Sequence, residues 1–211
     1  MSSTKAGLIA LLALIAGIIV AITLSPPRHK EPEHINLYPQ ARALPAVTLR
    51  DHNGEEFDLS DLREHWSLVF VGYTSCPDIC PTTMAELKGI YPQLQSIPSS
   101  HPIQVVFLSV DPKRDSSKRL NEYVQFFHSD FIAVSGNHDQ LFPLVRAMGM
   151  MYSISESTEN PNYLVDHSSS VVLVNPQAQV IGRFKPEFNP GELAISDGQK
   201  ILLDMPVLVA P

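Results

Sequence analysis

The segment SLVFVGYTSCPDICP (residues 67–81) predicts where a buried strand ends and a helix begins. Its first part, Ser67–Tyr73, is an almost continuous apolar run, which is typical of a strand buried on both faces of a sheet. Pro81 lacks a backbone N–H and is favoured at the first helical position, so we expect a helix from about Pro81 to Leu94. Cys76 and Cys80, the two cysteines of the chain, lie in between. Both thiols are therefore expected at the carboxyl end of a strand, near the start of a helix.

The sequence on both sides of this segment alternates between strand and helix patterns. Further strands are predicted at Ile103–Val110, Phe131–Val134, Ser170–Val174 and Val180–Phe184, and further helices at Ser116–Phe127, from Asn137 or Asp139 to about Met148, and at Gly191–Leu203. Asn53-Gly54 predicts a hairpin between Val47–Arg50 and Glu55–Leu59, and residues 149–166 are predicted as a long loop. Strands that alternate with helices favour the α/β class, with a mixed, largely parallel central sheet flanked by helices. A cysteine pair in the first strand-to-helix turn is the thioredoxin-like arrangement, and ligands of such sheets lie at the carboxyl ends of the strands.

The N-terminal segment Ala6–Leu24 contains nineteen residues without a charge. A helix of that length is about 28 Å long, close to the hydrocarbon thickness of a bilayer. We therefore predict an uncleaved transmembrane anchor helix in residues 1–25, a proline-rich tether over residues 26–45 and one domain over residues 46–211. The alternative is a cleaved signal peptide, although the apolar core of such peptides is usually only about 7–15 residues long. We expect a single pass through the inner membrane, with the domain on the periplasmic or another extracytoplasmic side.

Composition narrows the classes of function. The formal charge is −7, from 15 Lys and Arg against 22 Asp and Glu, which argues against nucleic acid as the main partner because phosphate binding needs clustered positive charge. Two cysteines exclude a disulfide-dense scaffold and a site with four cysteine ligands. What remains for the cysteines is one disulfide, one redox pair or one metal site.

Three residues separate the two cysteines, one more than in the C-x-x-C redox motif. The positive end of the helix dipole favours their thiolate forms, and the wider spacing lets the two sulfurs converge on a third atom or on each other. The candidate third ligand is His167, which follows the predicted loop and precedes a strand. Two soft sulfurs and one imidazole suit copper, as Cu(I) or Cu(II), and zinc with an added water is also chemically possible. The alternatives are a pair of cysteines that only pack or that act purely in redox chemistry.

Three motifs carry a resemblance to a known family: GYTSCPDICP at residues 72–81, SVDPKRD at 109–115 and YLVDHS at 163–168. With the N-terminal apolar segment and the closing hairpin, they occur in the order found in the SCO/SenC copper-delivery proteins of cytochrome c oxidase assembly, which the chain resembles over roughly residues 47–203. The resemblance implies a thioredoxin-like fold in which Cys76, Cys80 and His167 bind copper. It also implies that the chain delivers copper to the dinuclear centre of oxidase subunit II, keeps the cysteines of that subunit reduced, or does both, with that subunit or its assembly factors as the partner.

A metallochaperone is thus favoured over an enzyme, with a thiol–disulfide oxidoreductase that uses Cys76 and Cys80 as the alternative. A thiol peroxidase is disfavoured, because the sequence does not match P-x-x-x-T-x-x-C, the pattern that surrounds the nucleophilic cysteine of those enzymes. Thr74 lies only two residues before Cys76, and not three. Asp111-Pro112 is predicted at the same end of the sheet as Cys76, where it would either position the site or simply form a turn.

Overall fold

The computed structural model describes Gly7, residues 11–18, Val20, residues 31–154 and residues 157–210. The chain divides into two units, Met1–Glu31 and Pro32–Pro211. In the first unit, Gly7, residues 11–18 and Val20 are helical. Among the described residues, no helix combines the length and the apolar character that a membrane span requires. Much of the predicted anchor, and residues 26–30 of the predicted tether, lie outside the described residues.

The second unit contains an eight-stranded sheet flanked by helices. Its strands are β1 (Ile35–Ala43), β2 (Leu49–Asp51), β3 (Glu56–Phe57), β4 (Trp66–Gly72), β5 (Ile103–Ser109), β6 (Ile132–Ser135), β9 (Val171–Val174) and β10 (Gln179–Phe184), and β7 (Tyr152–Ser153) pairs with β8 (Asp166–His167) in a separate ladder. The helices are α1 (Leu59–Leu62), α2 (Ile79–Gln95), α3 (Ser117–Phe127), α4 (His138–Ala147) and α5 (Gly198–Leu208). The strand order is β1-β10-β9-β4-β5-β6-β2-β3, so the strand that leads into the cysteines lies in the middle.

The prediction of a mixed sheet is confirmed, but the prediction that the sheet is largely parallel is wrong. Only the pairs β4–β5 and β5–β6 are parallel, and every other neighbouring pair is antiparallel. Helix α2 crosses over from β4 to β5 and helix α3 from β5 to β6, as parallel pairs require, whereas antiparallel pairs extend the sheet on both sides. The apolar runs of β4 and β5 are buried along almost their whole length, as predicted.

Strand β1 corrects the predicted tether. Residues 35–43 pair with β10, with Ile35 opposite Phe184, and therefore belong to the sheet. The sequence INLYPQARA contains a proline and its side chains are mostly exposed, so its pattern does not distinguish an edge strand from a linker. Helix α5 fixes the start of this strand, because the buried Asp204 carboxylate accepts hydrogen bonds from the backbone N–H groups of Glu33 (2.9 Å), His34 (2.7 Å) and Ile35 (2.7 Å).

We expect Asp204→Asn to lower the free energy of unfolding by about 2 kcal/mol, because an amide replaces a buried carboxylate that accepts three backbone hydrogen bonds. Urea unfolding measures the change. Asp130→Asn, at an exposed aspartate, is the matched control and should leave the unfolding free energy within about 0.5 kcal/mol. Equal effects of the two substitutions would show that the hydrogen bonds to Asp204 do not stabilise the start of β1.

The last helix is also displaced from its prediction. It was expected at Gly191–Leu203, but it spans Gly198–Leu208. Asn189-Pro190-Gly191 forms a turn in which Gly191 has φ +85°, a backbone conformation that favours glycine. Asp197 then starts the helix, because its carboxylate accepts hydrogen bonds from the N–H groups of Gln199 and Lys200.

Candidate metal centre

The cysteine turn (residues 73–80) joins the central strand β4 to helix α2. The helix begins at Ile79, two residues before the predicted start, so Cys80 lies in its first turn. The N–H of Cys76 donates to the carbonyl oxygen of Tyr73 (3.2 Å), and the N–H of Cys80 points at Cys76 Sγ (3.5 Å). Cys80 is fully buried, whereas Cys76 is partly exposed, and both are free thiols. The turn therefore presents one accessible sulfur and one buried sulfur.

The histidine loop (residues 149–154 and 157–168) brings His167 over this turn. Strand β7 pairs with β8 so that Tyr152 lies opposite His167, and Ser168 N–H donates to the carbonyl oxygen of Met151 (3.0 Å). The imidazole packs edge-on against the rings of Phe70 and Tyr73, with centroids 6.0 and 5.9 Å away. Its Nε2 lies 3.4 Å from Cys80 Sγ. The ladder that places His167 was not predicted, because two-residue strands have no periodic signal in a sequence.

The structure brings together the three residues that the sequence singles out. The Sγ atoms of Cys76 and Cys80 and a ring nitrogen of His167 all lie within 4.8 Å of one another. Over residues 31–154 and 157–210, no second group of three or more His, Cys, Asp or Glu side chains has the geometry of a metal site. Two sulfurs and one imidazole form a soft donor set, which fits copper or zinc better than magnesium or calcium.

The two thiols differ sharply in acidity. A hydrogen bond from the Cys80 side chain is the main reason that the pKa of Cys76 falls to about 3; burial opposes the fall, and a hydrogen bond with His167 reinforces it. Burial raises the pKa of Cys80 far above that of a free thiol, and the hydrogen bond and charge of Cys76 raise it further. Without a metal, the pair therefore shares one proton, which stays on Cys80.

We expect the alkylation rate of Cys76 by iodoacetamide to stay nearly constant from pH 5 to pH 8 in the metal-free protein. A pKa of about 3 keeps this thiol ionised throughout that window, and it gains a proton only as the pH falls through that value. A free thiol, with a pKa of about 8.5, would react roughly tenfold faster per pH unit in the same window. Cys80→Ala removes the main cause of the low pKa and should restore that pH dependence. A tenfold rise per unit in the wild-type chain would contradict the assignment.

A buried aspartate that the prediction did not single out supports the cysteine turn. Asp115 is 3% exposed, and it accepts hydrogen bonds from Thr74 N–H (2.9 Å), Thr74 Oγ1 (2.6 Å) and Ser109 Oγ (2.6 Å). Burial raises the pKa of Asp115, and these hydrogen bonds partly offset the rise. The only signal in the sequence was its place in the motif at residues 109–115. Asp115 ties the residues before Cys76 to the end of β5.

Gly72 allows Cys80 to pack against the end of β4. A Cβ atom at this position would lie 2.6 Å from Cys80 Sγ and 2.9 Å from the Phe107 ring. Both neighbours are fully buried, so neither has space to move away.

We expect Gly72→Ala to lower the free energy of unfolding by about 1–3 kcal/mol and to displace the Cys80 thiol, because the added methyl group overpacks the core. Gly89→Ala is the matched control: Gly89 lies in exposed helix with no atom near the added Cβ, so it should stabilise the chain by about 0.5–1 kcal/mol. Chemical denaturation measures both variants. Similar changes in the unfolding free energy of the two variants would show that a Cβ atom at position 72 does not overpack the core around Cys80.

Asp78 and Asp111 are not among the three side chains that converge. Asp78 is exposed and its side chain does not cap α2. Asp111 lies just after β5, at the end of the sheet that was predicted for it, where it is buried and accepts a hydrogen bond from Tyr163 of the histidine loop. Met148 and Met150 are buried in the core.

Comparison with known proteins relates this geometry to a family. The sequence model of the SCO1/SenC family matches residues 38–201. A SCO2-like protein of Rickettsia prowazekii is 32% identical over 198 residues, which cover 92% of this chain and 96% of that protein. Among solved structures, copper-bound ScoI of Arabidopsis thaliana has 25% sequence identity and a TM-score of 0.64, covering 77% of this chain and 95% of that one. Copper-bound yeast Sco1 has 26% identity and a TM-score of 0.63, covering 77% and 87%.

Proposed function

The chain belongs to the SCO1/SenC family, and from that premise we propose that it is a membrane-anchored copper chaperone that binds one copper ion through Cys76, Cys80 and His167. The observation that carries the proposal is the convergence of two Sγ atoms and a ring nitrogen within 4.8 Å. The copper bound in the Arabidopsis and yeast relatives supports copper as the metal.

The chemistry of the three side chains suits a cargo ion that must be released. Cys76 is already ionised, so copper displaces only the proton held by Cys80. Two thiolates and a neutral imidazole provide a trigonal set for Cu(I). Cys76 is partly exposed, so an acceptor thiolate or imidazole could replace it first and receive copper by stepwise exchange, without a change of oxidation state.

We propose that the acceptor is cytochrome c oxidase subunit II or one of its assembly factors, as the family resemblance implies. The anchor would hold donor and acceptor on the same membrane, which raises their effective concentration without requiring tight binding. The large apolar side chains described between Leu11 and Val20 are all exposed, which supports a helix that needs an apolar environment on every side. The domain would then face the periplasmic or another extracytoplasmic side.

The test uses the full chain in detergent micelles or nanodiscs. Titration with Cu(I) under a competing chelator should give one bound copper per chain, and incubation with metal-free oxidase subunit II should move that copper to the acceptor. Floating the chain on liposomes tests the anchor separately. Failure to bind copper would overturn the proposal, whereas binding without transfer would overturn the choice of acceptor.

A second function is favoured by the unequal pair of thiols. An accessible thiolate at Cys76 beside a buried thiol at Cys80 is the arrangement of a thiol–disulfide oxidoreductase. Cys76 would attack a target disulfide to form a mixed disulfide, and Cys80, losing its proton, would release the reduced target and leave a Cys76–Cys80 disulfide. An external dithiol must then return two electrons to the pair. Rapid reduction of insulin by the metal-free chain would favour this function over copper transfer.

A further inference from the structure

Arg114 lies between the two parts of the chain that form the metal centre. It belongs to the turn that follows β5, and its side chain is 18% exposed. Its Nε donates to the Asp111 carboxylate, whose side chain is 1% exposed. The contact with Asp111 therefore fixes the guanidinium in a largely buried position. From there it contacts both the histidine loop and the cysteine turn.

On one side, Arg114 holds the histidine loop. Its Cζ lies 3.6 Å from the centroid of the Tyr163 ring, and its Nη1 donates to the carbonyl oxygen of Pro161 (3.2 Å). The hydroxyl of Tyr163, which is 1% exposed, donates to the same Asp111 carboxylate. Three residues separate Tyr163 from His167, so this contact fixes the segment that carries the imidazole.

On the other side, Arg114 faces the cysteine turn. Its Cζ lies 5.4 Å from the centroid of the Tyr73 ring, within the range of a cation–π interaction. Tyr73 accepts the hydrogen bond from Cys76 N–H through its carbonyl oxygen, and its ring packs edge-on against His167. Burial raises the pKa of Tyr73, and a backbone hydrogen bond with Val165 partly offsets this. One planar cation thus touches an aromatic ring from each side of the metal centre.

We propose that Arg114 is a positioning residue that sets the separation of the His167 imidazole from the two cysteine sulfurs and thereby the affinity for copper. This inference rests on the proposed function. The arrangement needs the flat guanidinium, because a lysine ammonium cannot lie against two rings and donate to Asp111 and Pro161 together. Within the described part of the chain, Arg114 Nη2 is buried without a hydrogen-bond partner, a cost that the other contacts of Arg114 must offset.

The neighbouring Lys113 provides a matched contrast. Its ammonium donates to the carbonyl oxygen of Thr158 (2.8 Å) and pairs with Glu159 (3.3 Å), so it also contacts the histidine loop. However, the Lys113 side chain is 52% exposed and that of Glu159 is 88% exposed. Ion pairs between exposed side chains contribute little to the stability of a structure. Lys113 also has no described contact with the cysteine turn. A role that depends on joining the two sides should therefore belong to Arg114 and not to Lys113.

The experiment compares Arg114→Met, Arg114→Lys and Lys113→Met in the full chain. Competition with a Cu(I) chelator gives the affinity, and amide hydrogen exchange of the metal-free protein reports how well residues 163–168 are held. We expect both Arg114 variants to bind copper about 10- to 100-fold more weakly, the range seen when a residue that orients a metal ligand is replaced. We also expect faster exchange at residues 163–168 with unchanged exchange in β4 and β5, whereas Lys113→Met should match the wild type in both measurements.

Three results would overturn the inference: wild-type affinity in both Arg114 variants, equal losses in Lys113→Met, or exchange that accelerates throughout the sheet, which would indicate a general loss of stability. If Arg114→Met does not fold, Arg114→Lys keeps the charge beside Asp111 and decides alone. If the wild-type chain binds no copper, the proposed function fails. The exchange pattern of the metal-free variants then still decides whether Arg114 positions His167.

Discussion

Replacing Cys80 with serine should abolish stoichiometric copper binding by the full chain. Cys80 is the buried sulfur, its Sγ lies 3.4 Å from His167 Nε2, and it provides one of the three converging donors. A serine hydroxyl is a hard donor that does not ionise near neutral pH, so only one thiolate and one imidazole would remain for a soft ion. We expect the dissociation constant for Cu(I) to rise more than about a thousandfold, which corresponds to about 4 kcal/mol.

The control lies in the same turn. Ser75→Ala changes an exposed hydroxyl next to Cys76 and should leave the affinity within about twofold, a change of less than about 0.5 kcal/mol. Chelator competition followed by metal analysis of the desalted protein measures both variants. If Cys80→Ser retains one tightly bound copper, Cys80 is not a ligand and the proposed site is wrong.

His167→Ala should cause the second largest loss. The two sulfurs remain, so some Cu(I) can still bind between them, but the third donor and its packing against Tyr73 and Phe70 are gone. We expect at least a hundredfold loss of Cu(I) affinity, about 2.7 kcal/mol, and loss of stable Cu(II) binding. In the Cu(II)-loaded wild-type protein, the EPR spectrum should contain nitrogen coupling, and the absorption spectrum should contain sulfur-to-copper charge-transfer bands.

His65→Ala is the matched control, because His65 contacts a backbone carbonyl (Arg63 O, 2.8 Å) and no cysteine. It should retain the wild-type affinity and the nitrogen coupling. If His167→Ala behaves in the same way, the imidazole is not a ligand. The pair of cysteines would then be better explained as a redox dithiol.

Prediction from sequence worked where a single physical signal dominates. The uninterrupted apolar runs of β4 and β5 indicated strands buried on both faces, and the structure confirms them. Pro81 located the start of α2 to within two residues, which placed Cys76 and Cys80 at the correct end of the sheet. His167 was singled out by its place after a long loop and before a strand, and the structure brings it to the sulfurs.

Other features depend on partners that lie far away in the chain. Strand β1 contains a proline and is mostly exposed, so only its pairing with β10 identifies it as a strand. The start of α5 depends on the Asp197 cap and on a glycine turn before it, which compete with the weaker amphipathic pattern from Gly191. The contacts of Arg114 with Tyr73 and Tyr163 join three segments that no local pattern relates.

The pairing of β1 with β10 has a consequence for biosynthesis. Ile35 emerges from the ribosome long before its partner Phe184, and the Asp204 carboxylate that receives the N–H of Ile35 emerges later still. Because the chain is synthesised from its N-terminus, β1 must remain unpaired until nearly the whole chain has been made. Pairing between segments so far apart in the sequence is slow to form. Folding of the domain should consequently be post-translational, and chains that stop before α5 should be cleared by proteases.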